Sequence, residues 1–488
     1  MSPETHLFIN GQLVDAKSGK TYANINPVTE QSIGEVADAG PEDMELAIAS
    51  ARDAFDNTDW STNHAFRLEC IKQLQQGLRA VQSEFRQQIA DETGAPLGIC
   101  GINGPHCDVP IGFIDYTIEQ LPQFEWSRDI GVSEVLPGQK SRRLIDKEAI
   151  GVVAAITPWN VPLQINLAKC IPALAAGCTV ILKAAPDTPW SATMLGRVVK
   201  EHTDIPAGVF NVITASDPKE VGDQLVADKR VDMVSFTGST NVGKHIMARA
   251  AETVKKVFLE LGGKSANILL DDADFGQALL TALAVCFHSG QGCAIHTRLL
   301  VPQSRKAEVE ELLPTYFGFI QYGDPSSEQI MGPVVNQRQY ERVLSYIEKG
   351  KEQGARVLIG GGAADIEQGY YIQPTVFMDV TNDMAIAREE IFGPVLSVIT
   401  FKDDDEAVSI ANDSDFGLSG GVWSADEARA LSVARRIRTG TVNVNGGSFY
   451  GADAPFGGYK QSGIGREMGP EGFEEYLETK TIAIGANK

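Results

Sequence analysis

The sequence predicts an α/β protein in which two lobes are each built on a parallel sheet, with a small β extension. From residue 150 to about Glu260, short apolar runs alternate with segments of helical period, which is typical of a doubly wound parallel sheet. A second alternation of the same kind begins at "SANILL" and ends at "TVNVNG". Between residues 131 and 148, apolar and polar residues alternate around a Pro-Gly turn, which predicts a β-hairpin outside both lobes.

The first lobe contains apolar runs that are short enough to be buried strands. Segments whose apolar residues recur with helical period lie between them, and a glycine closes the first of these helices. A further helix is predicted near Glu220, and "KKVFLEL" ends the lobe. In chain order the strands are "IGVVAAI", "CTVILK", "GVFNVI" and "VDMVSFT", and the helices are "PLQINLAKCIPALAAG", "TPWSATMLGRVVKEH" and "GSTNVGKHIMARAA".

The second lobe repeats the pattern and is followed by one more strand. Its helices are predicted at "AEVEELLPTYFGFI" and "QYERVLSYIEKG". Near the C-terminus, "YLETKTIAIG" alternates like a strand, and no neighbouring segment of the sequence offers it a partner. Because solitary strand edges often pair across subunits, we expect a homodimer or a homotetramer.

Composition argues against several classes of function. The 488 residues carry a formal net charge of −22, which repels nucleic acids and anionic membranes. The seven cysteines never have CxxC spacing, which argues against a disulfide framework or a structural zinc site and for a reducing compartment. The sequence has no signal-like start and no apolar run near the roughly 18 residues that span a bilayer. We therefore expect a cytoplasmic protein without nucleic-acid or membrane partners.

The segment "FTGSTNVGKH", residues 236–245, is nearly a P-loop. A P-loop needs Ser or Thr after its lysine to hold magnesium, and here His245 follows Lys244. A strand that passes through Gly238 into a helix still presents free backbone N–H groups to an anion, and Ser239 can add a hydroxyl. The segment therefore suits the pyrophosphate of a dinucleotide, with an ordinary helix cap as the alternative.

Cys293 lies in the glycine-rich loop "SGQGC". Glycines let a backbone approach a ligand closely and expose nearby side chains, so Cys293 is a candidate nucleophile if something lowers the pKa of its thiol. The alternative, a buried small hydrophobe, fits Cys286 in "ALAVC" better. His288 and His296 flank the thiol, but no further spaced ligands accompany them, so we predict no metal site.

Two polar residues come at the ends of predicted strands. Glu260 ends an apolar strand and precedes two glycines; in a partly apolar setting its pKa would be raised, which suits a general base. Asn160 in "ITPWNVPL" offers an amide N–H at the rim of the sheet, where α/β proteins place ligands. A solvated loop glutamate and an Asn helix cap are the respective alternatives.

Motifs spread along the chain carry a resemblance to the aldehyde dehydrogenase superfamily, in family order. The resemblance implies a Rossmann-like lobe that binds NAD(P) (residues 1–125 and 149–259), a catalytic α/β lobe (260–462) and a small β oligomerisation extension (126–148 and 463–488). It also implies oxidation of a small-molecule aldehyde. The shared motifs are "TPWNVPL", "PALAAGC", "LKAAPDTP", "FTGSTNVG", "LELGGKSA", "GQGC", "EEIFGPV" and "PFGGYK".

The resemblance also implies catalytic roles. Cys293 would attack the aldehyde, and the Asn160 amide with the Cys293 backbone N–H would stabilise the oxyanion. After hydride transfer, Glu260 would activate the water that hydrolyses the thioester, so the product would be the free acid. Lys169 would lie behind this site as a proton-relay or orienting group.

The same resemblance assigns residues to the cofactor. The expected cofactor is NAD, with NADP as the alternative, because Pro186 stands where the family often has a glutamate that accepts bonds from the adenosine ribose. A proline carries no charge to repel a 2′-phosphate. The residues implied in binding are Ile156, Trp159, Lys183, Pro186, Gly222, Phe236, Gly238, Ser239, Leu261, Gly262, Glu390 and Phe392.

The same resemblance implies a substrate pocket that combines small residues with an aromatic gate. Small side chains make room, so we expect a bulky apolar aldehyde, aromatic or terpenoid. The pocket residues implied are Val161, Ile165, Ala168, Phe287, Ala294, Gly446 and Tyr450. The alternatives are a P-loop-type hydrolase, which His245 disfavours, and a non-catalytic protein of the same fold. A non-catalytic protein would be expected to lose Cys293, Glu260 or Asn160, and all three are present.

Overall fold

The computed structural model describes residues 3–327 and 329–486. Helices surround sheets whose central strands are parallel, so the α/β prediction is confirmed. The strands are β1 (Leu7–Ile9), β2 (Gln12–Val14), β3 (Thr21–Ile25), β4 (Ser32–Ala37), β5 (Ser127–Leu136), β6 (Gln139–Ala149), β7 (Val152–Ile156), β8 (Thr179–Lys183), β9 (Phe210–Ile213), β10 (Met233–Thr237), β11 (Lys256–Glu260), β12 (Ala266–Leu269), β13 (Arg298–Pro302), β14 (Arg356–Ile359), β15 (Thr375–Met378), β16 (Val395–Phe401), β17 (Phe416–Gly417), β18 (Gly420–Trp423), β19 (Asn443–Val444), β20 (Tyr459–Lys460), β21 (Gly463–Ile464) and β22 (Leu477–Gly485).

The helices predicted in the two lobes are present. The α-helices are α1 (Pro41–Asn57), α2 (His64–Ala80), α3 (Gln82–Thr93), α4 (Leu97–Cys100), α5 (Asp108–Gln120), α6 (Pro162–Ala176), α7 (Trp190–His202), α8 (Pro218–Ala227), α9 (Thr240–Ala250), α10 (Phe275–Ala278), α11 (Lys306–Phe317), α12 (Gln337–Glu352), α13 (Ala385–Arg388), α14 (Asp404–Asn412), α15 (Glu427–Ala434) and α16 (Gly469–Glu474). Those that the sequence predicts are α6, α7, α8, α9, α11 and α12. Short 3-10 segments cover Leu121–Gln123, Leu279–Gly290 and Gln303–Arg305.

The first large sheet has the strand order β2-β1-β9-β8-β7-β10-β11-β21. Strands β7 to β11 of this sheet are mutually parallel, and all residues of β7 and β8 are buried. Val153 belongs to the core on one face and Val152 to the core on the other, since successive side chains of a strand point to opposite faces. Helices cover both faces, which is why these strands read as continuous apolar runs rather than alternating ones.

The second large sheet has the order β14-β15-β16-β13-β12-β18-β19 and is parallel except for β14. The chain passes from one sheet to the other between Glu260, the last residue of β11, and Ala266, the first of β12. Five residues, 261–265, therefore join the two sheets. The glutamate predicted as a base lies at this junction.

The C-terminal strand pairs within its own chain. β22 runs antiparallel to β6 from Leu477 opposite Ala149 to Gly485 opposite Ser141, and the sheet has the order β22-β6-β5. The partner of β22 is not a neighbouring segment of the sequence but a remote hairpin, beside which the chain returns after α16. The hairpin itself is confirmed as β5 and β6. Assembly into an oligomer stays a prediction.

Candidate active site

Cys293, Glu260 and Asn160 line one cavity of about 850 Å³ between the two large sheets. Each arrives from a different element: Glu260 ends β11, Asn160 precedes α6, and Cys293 follows the 3-10 segment Leu279–Gly290. The carboxyl ends of parallel strands open at the same edge of a sheet, and Glu260 lies there directly opposite Thr237 of β10. The structure thus brings together three residues from positions 160, 260 and 293 of the sequence.

The loop that carries the thiol has an unusual backbone. His288, Ser289 and Gly290 have φ values of 47°, 55° and 75°, in the left-handed region that non-glycine residues seldom adopt. A Cβ on Gly290 would lie 2.1 Å from the Gly393 carbonyl oxygen, so this position requires glycine. Strained backbone of this kind is held in place by its surroundings.

Gln291 and Asn160 fix the loop from two sides. The buried Gln291 side chain accepts a hydrogen bond from the Val335 backbone N–H (2.9 Å) and donates one to the His288 carbonyl (3.1 Å). The Asn160 amide donates to the Gln291 carbonyl oxygen at 2.9 Å. An amide has two N–H groups, so Asn160 keeps one for a ligand. The position of the thiol is therefore built into the protein before substrate binds.

The thiol is neutral in this arrangement. Burial raises the pKa of Cys293 above its ordinary value, and the nearby Glu260 and Glu390 carboxylates raise it further. This differs from the expectation of a lowered thiol pKa, because no positively charged side chain acts on the sulfur. Since the thiolate is the nucleophile, a base must take its proton when the substrate or the cofactor has changed the surroundings.

Glu260 is the buried acid that the sequence predicts, not a solvated loop residue. Its relative exposure is 2%, and neither carboxylate oxygen has a hydrogen-bond partner in the protein. Burial raises its pKa well above the ordinary value, and the charge of Glu467 raises it further. A buried, unpartnered carboxyl is costly for folding, which marks the group as one kept for its chemistry.

A buried ion pair lies behind Glu260. Lys169 on α6 is fully buried, with its Nζ 3.0 Å from Glu467 Oε1 and 3.3 Å from Ser235 Oγ. The ammonium also lies 4.6 Å from the centre of the Phe258 ring. Sequence reasoning missed Glu467, whose signal was its place in "GIGREMG" directly after the resembled "PFGGYK" motif. Lys169 therefore contacts a carboxylate whose charge raises the pKa of Glu260.

The strand-to-helix segment 236–245 has the predicted form. Ser239 caps α9, with its hydroxyl accepting from the Val242 backbone N–H at 3.4 Å. A Cβ on Gly238 would lie 2.5 Å from the Phe236 ring, so glycine lets that ring fold over the start of the helix. His245, where a P-loop needs a hydroxyl, contacts Asp223 at 2.6 Å.

Lys183 and Gly222 meet at the end of β8. Lys183 Nζ donates to the Ala184 carbonyl at 3.0 Å, and burial lowers the pKa of this lysine to about 8. A Cβ on Gly222 would come within 3.8 Å of Lys183 Cε, so α8 passes close above the lysine. Pro186 is half-buried three residues beyond the strand, and Ile156 ends the neighbouring β7.

The other predicted cofactor residues gather near the junction of the sheets. Glu390 accepts the Gly263 backbone N–H at 3.0 Å, and burial raises its pKa to about 6. A Cβ on Gly262 would lie 2.5 Å from the Glu390 carboxylate. Leu261 donates its own N–H to the Ser462 carbonyl at 2.9 Å. Separately, the Trp159 and Phe392 rings meet edge to face at 5.4 Å.

Ala168 does not line the cavity that contains Cys293. It lines a second cavity of about 240 Å³ instead, because it lies one turn beyond Gln164 on α6, where the helix packs against α5. Gln164 lines both cavities. The predicted pocket residues that do line the larger cavity are Val161, Ile165, Phe287, Ala294, Gly446 and Tyr450.

The cavity also holds two histidines that sequence reasoning did not explain. His106 and His288 both line it, and their rings meet edge to face at 4.8 Å. Burial lowers the pKa of His288 to about 4 and that of His106 well below its ordinary value, so both are neutral near pH 7.

Within residues 3–327 and 329–486, no group of three or more His, Cys, Asp or Glu could hold a metal ion. No helix in the described part of the chain has the length and apolar character to cross a bilayer.

A profile of the aldehyde dehydrogenase family matches residues 13–482. The chain belongs to this family. 3-Succinoylsemialdehyde-pyridine dehydrogenase of a Pseudomonas species is 42% identical over 480 residues, which cover 97% of this chain and 97% of the relative. Similarity at this level confirms the resemblance that the motifs carry, and with it the prediction of an aldehyde dehydrogenase.

Solved structures agree with this assignment. A mutant of aldehyde dehydrogenase C from Pseudomonas syringae, in complex with NAD+ and octanal, has a TM-score of 0.91 at 41% identity, over 98% of this chain and 96% of that chain. Betaine aldehyde dehydrogenase from Staphylococcus aureus, in complex with NAD+, has a TM-score of 0.94 at 36% identity, over 100% of this chain and 96% of that chain. The aldehyde dehydrogenase fold therefore extends over nearly the whole chain.

Proposed function

We propose that the protein oxidises a bulky, apolar aldehyde to the carboxylic acid with NAD+, through a thioester on Cys293. One observation carries the proposal: Cys293, Asn160 and the unpartnered carboxyl of Glu260 face the same cavity. That arrangement supplies a nucleophile, an oxyanion donor and a base, which are the three groups that acyl chemistry requires. Related structures contain NAD+, and one also contains an aldehyde.

The chain's own residues fit a dinucleotide. The start of α9 offers free N–H groups and a capped helix end to a pyrophosphate. Lys183 would bond the adenosine ribose below Gly222, and Glu390 would accept from the nicotinamide ribose, beside a glycine that leaves room for it. Trp159 would border the path of the adenosine and pyrophosphate, and Phe392 would lie against the nicotinamide. When bound, NAD+ supplies the hydride acceptor.

In the first half of the reaction, Cys293 gives its thiol proton to a base, and the sulfur attacks the aldehyde carbon. The Asn160 amide and the Cys293 backbone N–H would donate to the oxygen as it becomes negative, and each such donor contributes roughly 3–4 kcal/mol in other enzymes. Gln291 holds both the Asn160 amide and the thiol loop in place. The hydride leaves the carbon, and a thioester on Cys293 remains.

In the second half, Glu260 removes a proton from the water that attacks the thioester. Its raised pKa makes the carboxylate a stronger base than an exposed glutamate. Glu467 and Lys169 act on this step through their charges, since Glu467 raises the pKa of Glu260 and Lys169 lowers it. The product is the free acid, and the thiol is regenerated.

The cavity favours a bulky apolar substrate. Its volume of about 850 Å³ lies near the upper end of the range of about 300–1,000 Å³ that is typical of ligand pockets. A cavity of this size has room for a bulky aldehyde. The thiol end has small residues at Ala294 and Gly446, and Phe287 with Tyr450 supplies aromatic walls. Octanal is bound in the solved structure of one relative, which agrees with an apolar chain in such a cavity.

A panel of aldehydes tests the proposed function. Reduction of NAD+ and NADP+ would be followed by absorbance with acetaldehyde, octanal, benzaldehyde and citral, and kcat/KM compared. We expect octanal, benzaldehyde or citral to exceed acetaldehyde by at least about tenfold, because each buried methylene contributes about 0.8 kcal/mol. A highest value for acetaldehyde would contradict the substrate class, and no turnover with any member would contradict the reaction.

Pro186 offers a test of the cofactor site. Pro186→Glu introduces a carboxylate near the adenosine ribose, which should repel a 2′-phosphate. We expect the ratio of kcat/KM for NADP+ to that for NAD+ to fall about tenfold, the scale of one unscreened charge contact. Pro186→Gln is the matched control, with nearly the same shape and no charge. An equal fall in both variants would show that loop shape, not charge, decides the ratio.

The β22-β6-β5 sheet is the surface we propose for self-association into a dimer or tetramer. Its edge strand β5 carries the exposed apolar residues Ile130, Val132 and Leu136, and β22 carries Ile482 and Ile484. Both edges are unpaired within the described residues, and such edges invite pairing with a second copy.

A further inference from the structure

One part of the cavity wall is polar, although most of the wall is apolar. Asn267 of β12, Gly421 of β18 and Asn443 of β19 lie directly opposite one another across three neighbouring strands. Residues in such a row project on the same face of a sheet. His296 joins them, and all four line the cavity that holds Cys293. We call these four residues the polar recess.

The orientation of the Asn267 amide is fixed by its neighbours. The Thr281 hydroxyl donates to the Ala278 carbonyl, so its single proton is used and its oxygen must accept. Asn267 Nδ2 lies 2.7 Å from that oxygen and is therefore the donor. The remaining group, Asn267 Oδ1, is buried and has no hydrogen-bond partner. An acceptor is thus held ready in a residue with only 2% exposure.

His296 closes the recess without bringing a charge. Burial lowers the pKa of His296 to about 4, while a hydrogen bond to the Gly420 backbone acts against this. Its Nε2 lies 3.3 Å from Ser419 Oγ. The ring is therefore neutral near pH 7 and held in place, and the asparagines are neutral too. A cationic group would find no countercharge among these four residues.

The recess is open because residue 421 is glycine and has no Cβ. A Cβ at this position would lie 2.5 Å from Asn267 Oδ1 and 2.9 Å from His296 Cε1. The third wall is Asn443, whose Oδ1 is also buried and unpartnered. A buried acceptor without a partner destabilises the fold, so two of them in one recess point to a donor that comes from a ligand.

We propose that the polar recess binds a hydroxyl group on the substrate, so that the preferred aldehyde has an apolar body and a hydroxyl remote from its reacting carbon. The proposal rests on the proposed function, since it concerns the same cavity. The acceptors select a hydrogen-bond donor, and the absence of charge on the four residues selects an uncharged one. Asn267 Oδ1 is the principal acceptor, and Asn443 supplies the second.

Two matched series of aldehydes test this. ω-Hydroxyalkanals from butanal to decanal length would be compared with n-alkanals of equal length, with kcat/KM as the readout. At the length that reaches the recess, we expect the hydroxyl to raise kcat/KM about tenfold, the scale of one hydrogen bond to a buried partner. A hydroxyl that lowers kcat/KM or leaves it unchanged at every length would overturn the proposal.

Variants identify the acceptor. In Asn267→Leu and in Asn443→Leu, the preference for the hydroxylated aldehyde should fall several-fold, with the larger effect at Asn267. Because the preference is a ratio within one variant, it does not depend on how much enzyme folds, and Asn443→Leu decides if Asn267→Leu is insoluble. The control is Asn57→Leu, the same change at an exposed position on α1.

The outcomes separate the two proposals. A wild-type preference that survives unchanged in Asn267→Leu would place the hydroxyl elsewhere and overturn the inference. Oxidation of n-alkanals with no preference for hydroxylated ones would overturn the inference and leave the proposed function standing. No oxidation of either series would count against the proposed function itself.

Discussion

Replacing Cys293 with alanine is expected to abolish NADH formation from every aldehyde that the wild-type protein oxidises. The loss should be about 10⁴-fold or more, the scale seen when other enzymes lose their nucleophile. The physical reason is that no other cysteine lines the cavity: Cys286, seven residues earlier, is packed in the core of the second lobe. Initial rates of NADH formation measure the effect.

The cofactor site should survive this change. Cys293 does not belong to the residues proposed to hold the dinucleotide, so NAD+ should still raise the melting temperature of Cys293→Ala. Cys286→Ala is the matched control and should keep its activity. Activity of Cys293→Ala above a few per cent of wild type would move the nucleophile elsewhere. Mass spectrometry of the wild-type protein quenched during turnover should locate an acyl adduct on Cys293.

The sequence predicts the main features of the fold because they are local. Short apolar runs mark the strands of a parallel sheet buried on both faces, and each lobe's order follows from their alternation with helices. The glycine-bracketed thiol and the acid at a strand end are also local signals. Their meeting in one cavity follows from a general property of parallel sheets, whose carboxyl ends share an edge.

Features that depend on contacts between distant segments could not be read in this way. Lys169 and Glu467 form an ion pair across 298 positions of sequence. The sequence around each residue gives no indication of its partner. The pairing of β22 with β6 is similar, since an alternating pattern predicts a strand but not its neighbour. Ala168 lines the smaller cavity because it lies one turn farther along the same face of α6 than Gln164, where the helix packs against α5.

The electrostatics of the site are also a product of the fold. From the sequence, a lowered pKa is expected for the Cys293 thiol. In the structure, burial and two carboxylates raise this pKa instead. The same burial raises the pKa of Glu260. Both shifts favour the protonated form of the group before substrate binds. Reactivity has to come with the bound substrate and cofactor, which is why the loop geometry rather than the charge is prepared in advance.

Glu260→Gln should separate the two halves of the reaction. Hydride transfer should still occur once, because Cys293 and the oxyanion donors are intact, so rapid mixing should give a burst of NADH close to the enzyme concentration. Steady-state turnover should then fall by about 10²–10⁴-fold, the usual contribution of a general base. Glu311→Gln, the same change at an exposed residue of α11, should turn over at the wild-type rate.

The pH dependence carries the same argument further. Only the carboxylate form of Glu260 can accept a proton from water, and its pKa lies well above the ordinary value. The carboxylate fraction of Glu260 therefore grows at higher pH than that of an ordinary glutamate, and the rate of thioester hydrolysis should rise with pH over the same range. Below the pKa the rise approaches about tenfold for each pH unit, because the base fraction grows in that proportion. In Glu260→Gln this rise should be absent, leaving only the attack of hydroxide on the thioester. A wild-type rate of hydrolysis that stays flat across this range, or a Gln variant with an unchanged steady-state rate, would assign the activation of water to another group.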